Sequence, residues 1–281
     1  MQVNRLEVTN SRNALMQCAF DPQSNHTWML DNNCTTIAKR LVGAGANVSH
    51  IDKHGWNAIA FGAMKGFTKY VKYLLGKGAD IDNKDSAGRT PLMKAVTHGH
   101  VNTTQILLEG GADVSIVDSH GWSALHFSTR QLGDTMPAHY MKIFKMLVHI
   151  DSPTLSVRQQ DKKGKAKKSK DNSQVTTKKP IKSRKKLPID AKDSDGRTAL
   201  MYATLMNSNE LISLLLEAGA DPTVEDSQGL TAYALSRVEL TRVQLAQASA
   251  DWATRQHEEW LRRREARNPH LNKETCAASQ P

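Results

Sequence analysis

The stretch from Asp85 to Val117, DSAGRTPLMKAVTHGHVNTTQILLEGGADVSIV, carries the local signals of a complete helix–turn–helix unit. Thr90 suits a helix N-cap, and Pro91 suits the first helical position, where a missing N–H costs nothing. The segment His98 to His100 is typical of a tight turn. A second helix then follows with Ile106 to Leu108 as its apolar stripe. The pattern therefore predicts two short helices and an extended connection to the next unit.

The same unit recurs along the chain with a period of 33 residues, apart from one interruption. Two glycines repeat in phase, one in the D-x-x-G segment and one just after the second helix, where a left-handed residue closes the helix. A helix pair this short cannot cover its own apolar face, so copies must stack to bury it. The two series are Gly55, Gly88, Gly121, Gly196 and Gly229, and Gly45, Gly78, Gly111 and Gly219.

These motifs resemble the ankyrin repeat, whose period is about 33 residues and whose core reads T-P-L-H-x-A. The match is carried by Thr90 to Ala95 and, less faithfully, by Ser123 to His126 and Thr198 to Met201. The resemblance covers residues 8–150 and 190–236. It implies an all-α ankyrin-repeat solenoid of five to six helix pairs, with finger-like β-hairpin loops and an interrupting, disordered basic insert.

Two of the expected repeats are longer than the others. The first has extra residues near Asp21 to Asn33, predicted to be a surface loop whose Trp28 folds back as a lid; the alternative is a disordered N-terminus. The fourth has an extended inter-helix turn near Asp134 to Tyr140. We expect repeats at 8–51, 52–84, 85–117, 118–157, 193–225 and 226–239, a basic insert at 158–189, a capping helix at 240–267 and a disordered tail at 268–281.

The positive charge of the chain is confined to one segment. The whole chain carries +10, whereas residues 162–186 alone hold twelve Lys or Arg and one acid, Asp171, for a net +11. High like charge and few apolar residues predict disorder. Three interpretations stay open: a nuclear import signal, an arm that binds nucleic acid or an acidic protein, and a linker without a partner. The import or phosphate-binding candidates are Lys162, Lys163, Lys165, Lys167, Lys168, Lys170, Lys178, Lys179, Lys182, Arg184, Lys185 and Lys186.

Composition indicates a protein of a reducing compartment, so we expect a cytoplasmic or nuclear location. The sequence contains no run of about 18 apolar residues, so we expect no membrane span. No apolar region follows Met1, so we expect no signal peptide. The three cysteines, Cys18, Cys34 and Cys276, are too scattered for a disulfide framework or a zinc site.

No motif typical of a nucleophile, a phosphate-binding loop or a metal-ligand set is present. We therefore expect no enzymatic activity, no cofactor and no metal. The resemblance implies non-catalytic protein–protein recognition, as an adaptor or scaffold, through the finger tips and the concave face lined by the first helices. The alternative is a nucleic-acid-associated protein that uses residues 162–186 as a phosphate-binding arm.

The candidate contacts are the residues beside each tip glycine and the variable positions of the first helices. Trp and Arg are enriched at binding hot spots, although a Trp after the tip glycine can instead pack its ring on the next finger. The tip candidates are Lys53, His54, Trp56, Arg89, Ser119, His120, Trp122, Arg197 and Leu230. The first-helix candidates are Met64, Lys65, Thr97, His98, Arg130 and Gln131.

The C-terminal helix has four apolar points, at Leu240, Val243, Trp252 and Trp260. We expect the two tryptophans to pack on the last repeat, with a partner chain as the alternative. The helix should serve as the polar cap that the end of a solenoid needs.

Overall fold

The fold of the described residues is helical throughout. The computed structural model describes residues 11–19, 31–129, 137–148 and 187–267, and within these ranges it contains no strand and no helix able to cross a membrane. The helices are α1 (Ala14–Gln17), α2 (Asp31–Gly43), α3 (Ala58–Lys65), α4 (Thr68–Gly76), α5 (Pro91–Thr97), α6 (Val101–Glu109), α7 (Ala124–Thr129), α8 (Ala138–Val148), α9 (Ala199–Leu205), α10 (Asn209–Glu217), α11 (Ala232–Leu235) and α12 (Glu239–Arg267).

The helices form consecutive pairs that stack into two layers. Each odd-numbered helix contacts the even-numbered helix that follows it, and the odd-numbered helices also contact one another in order from α1 to α11. The even-numbered helices from α2 to α10 form the second layer in the same way. An apolar core therefore runs continuously between the layers.

The unit that contains α5 forms as its sequence predicts. The Thr90 side chain accepts a hydrogen bond from the backbone N–H of Met93, and Pro91 occupies the first turn. Leu92 is buried in the core, and Gly99 adopts a left-handed φ of 71° in the turn before α6.

The first unit reproduces this geometry with different residues. Ser11 has a φ of 56°, in the left-handed region that Gly88 occupies in the third unit. Asn13 then caps α1, because its side chain accepts a hydrogen bond from the N–H of Met16.

Two stretches expected in the long loops of the first and fourth units are helical. Residues 31–33 belong to α2 and residues 138–140 to α8. The Asp31 carboxylate accepts hydrogen bonds from the N–H groups of Lys69 and Tyr70, which ties α2 to the first turn of α4. Trp28 lies outside the described residues.

The packing face of α12 also differs from the prediction. Leu240, Val243 and Trp260 are 68%, 60% and 54% exposed, so the expectation that Trp260 packs on the last repeat is wrong. Thr241 and Leu245 are buried instead. The register is set by hydrogen bonds between α12 and α10, which join Thr241 to Asn209 and Gln244 to Ser213.

Each finger is closed by an aspartate that accepts two backbone hydrogen bonds from its own turn. Asp85 Oδ1 accepts from the N–H groups of Ala87 and Arg89, at 3.0 and 2.8 Å. The same bonds, from residues two and four positions further on, hold the turns at Asp52, Asp118, Asp193 and Asp226.

Neighbouring fingers are joined by backbone hydrogen bonds. The Ser86 N–H donates to the His54 carbonyl at 2.9 Å. The equivalent bond joins Ser194 to His120 at 2.7 Å, although residues 149–186, which lie outside the described ranges, separate the two in sequence. The units on both sides of the predicted insert therefore stack directly.

The second oxygen of Asp85 forms a buried ion pair. Lys94 Nζ donates to Asp85 Oδ2, and Arg89 Nε lies 3.2 Å from the same oxygen. Burial raises the pKa of Asp85, but the Lys94 hydrogen bond and the two positive charges outweigh it, so this pKa lies below its ordinary value. Burial lowers the pKa of Lys94 more than Asp85 raises it.

We expect Asp85→Asn to lower the free energy of unfolding at pH 7 by about 3 kcal/mol, because it leaves the Lys94 ammonium buried without a carboxylate. A folded pKa below the unfolded value of about 3.9 stabilises the protein above that pH, and this stabilisation is lost as the pH falls through the folded value. The difference between wild type and variant should therefore shrink below about pH 4.

Urea unfolding at several pH values measures both effects. Asp80→Asn is the control, because Asp80 is exposed. An equal loss of stability at neutral and acidic pH would show that the Asp85 carboxylate charge contributes nothing.

Candidate functional site

Trp56, a candidate tip contact, packs on the neighbouring unit. Lys94 Nζ lies 3.5 Å from the centroid of the half-buried indole ring, which is cation–π geometry. The centroid of the Phe61 ring lies 4.8 Å from that of Trp56, with the two ring planes tilted by 44°. Trp56 therefore covers the buried ion pair between Lys94 and Asp85.

Trp122 occupies the equivalent position two units later. Its ring is 5.3 Å from the Phe127 ring and 5.4 Å from Tyr202, which belongs to the unit beyond the predicted insert. Tyr202 takes the place of Lys94, and its hydroxyl donates a hydrogen bond to Asp193 Oδ2. Burial and this hydrogen bond raise the pKa of Tyr202 to about 12, so the phenol remains a donor.

The candidate arginines are held by tip aspartates. Arg89 is exposed but keeps its Nε near Asp85. Arg197 is half-buried, with its Nε 3.7 Å from Asp226 Oδ2. Backbone hydrogen bonds, the first of them from Leu230, and the Arg197 charge hold the pKa of Asp226 below its ordinary value. Leu230, also a candidate, is half-buried.

The other tip candidates present their side chains to solvent. Lys53 and His54 are exposed on the second finger, and Ser119 and His120 are exposed on the fourth. Ser119 Oγ lies 3.2 Å from His120 Nδ1, which orders this pair on its turn.

The first-helix candidates differ in their availability. Lys65 and His98 are exposed, whereas Met64 packs partly against the core. The Thr97 hydroxyl donates to a carbonyl of its own helix. Arg130 and Gln131 lie outside the described residues.

His100, in the tight turn before α6, links two units. Its Nε2 lies 2.9 Å from the Met64 carbonyl, and burial lowers its pKa. The ring packs so closely on Gly66 that a Cβ there would lie 2.6 Å from His100 Nδ1. No group of His, Cys, Asp and Glu in the described ranges could hold a metal ion.

The exposed charges at the tips of the second, third and fourth fingers (residues 52–56, 84–89 and 118–122) and on their first helices share one sign, whereas the base of the third finger carries the exposed Asp80. The tip aspartates Asp52 and Asp85 are buried, and Asp118 is half-buried. The four exposed charged side chains on this surface are Lys53, Lys65, Lys84 and Arg89. Sequence reasoning missed Lys84, which lies just before a tip aspartate. The signal that could have found it is its place directly before Asp85, because Asp85 is buried and Lys84 is exposed beside it.

Protein-family models match most of the helical array. A model described as ankyrin repeats in three copies matches residues 26–118 and 78–157. A single ankyrin-repeat model matches residues 195–227. The two models together match more than half of the chain, on both sides of the basic segment.

We expect Trp56→Ala to lower the free energy of unfolding by about 2–3 kcal/mol, because the indole covers Lys94 and packs on Phe61. Lys53→Ala, three positions away on the exposed side of the same finger, should change it by less than about 0.5 kcal/mol. Urea denaturation of the two variants makes the comparison. Equal stabilities would mean that the ring does not help to join the repeats.

Proposed function

Because this chain belongs to the ankyrin-repeat family, we propose that it is a protein–protein interaction module, an adaptor or scaffold whose finger tips and concave face bind an acidic segment of a partner protein. Ankyrin repeats are generally non-catalytic interaction modules. The observation that carries the acidic partner is the single sign of the exposed charge at the tips of the second to fourth fingers and on their first helices.

The rigidity of the fingers supports this assignment. Backbone bonds between fingers and two hydrogen bonds to each tip aspartate hold the turns in place. Binding to a preformed surface costs less conformational entropy than binding that must first order flexible loops. Lys53 and Arg89 would then meet carboxylates, which favours fast association and specificity over raw affinity.

In this proposal the two tip tryptophans stabilise the binding surface. Trp56 and Trp122 hold neighbouring units together, so their substitution would disturb the surface as a whole. The exposed side chains beside them are therefore the better test of binding.

We expect the double variant Lys53→Glu, Lys65→Glu to lose a partner captured from cell lysate by the wild-type chain. The control is Lys39→Glu, Lys72→Glu, which changes the net charge equally but on exposed positions of α2 and α4, in the opposite layer. Mass spectrometry of the captured proteins and circular dichroism of both variants complete the comparison. A partner retained by the first variant and lost by the control would place binding on the second-helix layer instead.

We also propose that residues 162–186 act as a nuclear import signal, which would give the protein a nuclear as well as a cytoplasmic location. The support is the charge of +11 within this segment. Deletion of 162–186 should move a fluorescently tagged chain from nucleus to cytoplasm, while the same chain keeps its captured partner.

A different result of this deletion would indicate that residues 162–186 are an arm that binds nucleic acid. In that case the deletion would abolish nuclease-sensitive binding, and the affinity of the intact chain would fall steeply with salt. An unchanged location and unchanged binding after deletion would leave the segment as a linker.

A further inference from the structure

The last helix is far longer than the second helix of any other described unit. α12 has 29 residues and is about 43 Å long, whereas α10, its equivalent in the preceding unit, has nine residues and a length of about 13 Å. Every residue from 253 to 263 is exposed. Capping one repeat does not require a helix of this length.

One stripe of α12 faces the array. Thr241 and Leu245 are buried, and Ala248 and Trp252 are half-buried. These residues are spaced by four, three and four positions, so they lie on one side of the helix. Thr241 on this stripe and Gln244 beside it bond to α10, and the stripe ends at Trp252.

A second stripe, on a different side of α12, is exposed along its whole length. It consists of Val243, Ala246, Ala250, Ala253, His257 and Trp260, with alternating spacings of three and four residues. That alternation is the pattern of a coiled-coil seam. Val243 is 60% exposed and Trp260 is 54% exposed, with its ring stacked on His257 at 6.0 Å.

We propose that this seam joins two copies of the chain in an antiparallel helix pair. The two-fold axis would pass between Asp251 and Trp252. Val243 would then face Trp260 of the second copy, Ala246 would face His257 of the second copy, and Ala250 would face Ala253 of the second copy.

The order of side-chain sizes favours the antiparallel arrangement. The layers at each end combine the large Trp260 with the smaller Val243, whereas the central layers contain only alanine. Alanines there allow the helix axes to approach to about 8 Å. A parallel pair would instead place Trp260 against Trp260 and His257 against His257, with no small residue opposite either ring.

The flanks of the seam match in the same arrangement. On one flank, Leu240 would face Leu261 of the second copy, and these residues are 68% and 37% exposed. Gln247 and Thr254 lie between them, so this flank carries no charge.

The other flank is polar and carries two arginines. Arg242 and Arg263 would approach each other across the axis, but each lies near a glutamate of its own helix, Glu239 at 3.7 Å and Glu259 at 3.6 Å. These pairs reduce the repulsion between the arginines. A second copy therefore fits the seam in both size and charge.

The pair should be a modest dimer. Residues 240–261 span about 33 Å of helix, and the central alanines bury little area, so we expect a dissociation constant in the micromolar range, about 1–50 µM. The two arrays would lie at opposite ends of the pair, which leaves the fingers of each copy accessible.

Sedimentation equilibrium of the full chain tests the association. We expect a monomer–dimer equilibrium for wild type and at least a tenfold weaker one for Ala250→Glu, which places two carboxylates beside the axis. Arg255→Glu adds a carboxylate in the same region of the helix but off the seam, and it should dimerise like wild type. A chain that remains monomeric at about 200 µM would overturn the proposal.

Disulfide trapping tests the orientation. In a Cys276→Ser background, a mixture of Val243→Cys and Trp260→Cys chains should form a crosslinked heterodimer, whereas neither chain alone should crosslink to itself. Cys18 and Cys34 are buried, and burial raises the pKa of Cys18 to about 12, so they should not compete. Self-crosslinking of each chain, without the mixed product, would show a parallel pair and overturn the antiparallel geometry.

Discussion

The Asp85 carboxylate links the turn of its own finger to the stacking of the repeats. The first oxygen of Asp85 accepts two N–H groups of its own turn, and its second oxygen holds Lys94, on which Trp56 of the preceding finger rests. Turn closure and the contact between units therefore depend on the same side chain. Because stacking buries the apolar faces, this small polar centre supports the whole core.

The sequence could predict this frame because its signals are local. These signals are the positions of the recurring glycines, the Thr90 cap and Pro91, and each depends on only a few neighbouring residues. Together they place the helices of the array. The partners of the tip aspartates could not be predicted in this way. Lys94 in one unit and Tyr202 in another solve the same problem with different chemistry, and only the stacked structure brings each of them beside a tryptophan.

The candidate binding surface, too, could be predicted only in part from the sequence. The resemblance places Lys53 and Trp56 on a tip, but it does not say which one faces outward. In the structure Lys53 is exposed, while Trp56 is largely committed to its neighbours. The C-terminal helix was harder to predict, because its apolar residues lie on two sides. Hydrogen bonds from Thr241 and Gln244 to α10 select the side that packs, and Val243 is left exposed.

The direct stacking of units around the basic segment has a consequence for the covalent chain. His120 and Ser194 are hydrogen-bonded neighbours, and Trp122 packs on Tyr202, so contacts between described residues join the units on the two sides of this segment. A protease that cut within 149–186 would leave two fragments held together by an ordinary repeat interface. The protein has, in effect, a natural split site, at which its two parts could be made separately and reassembled.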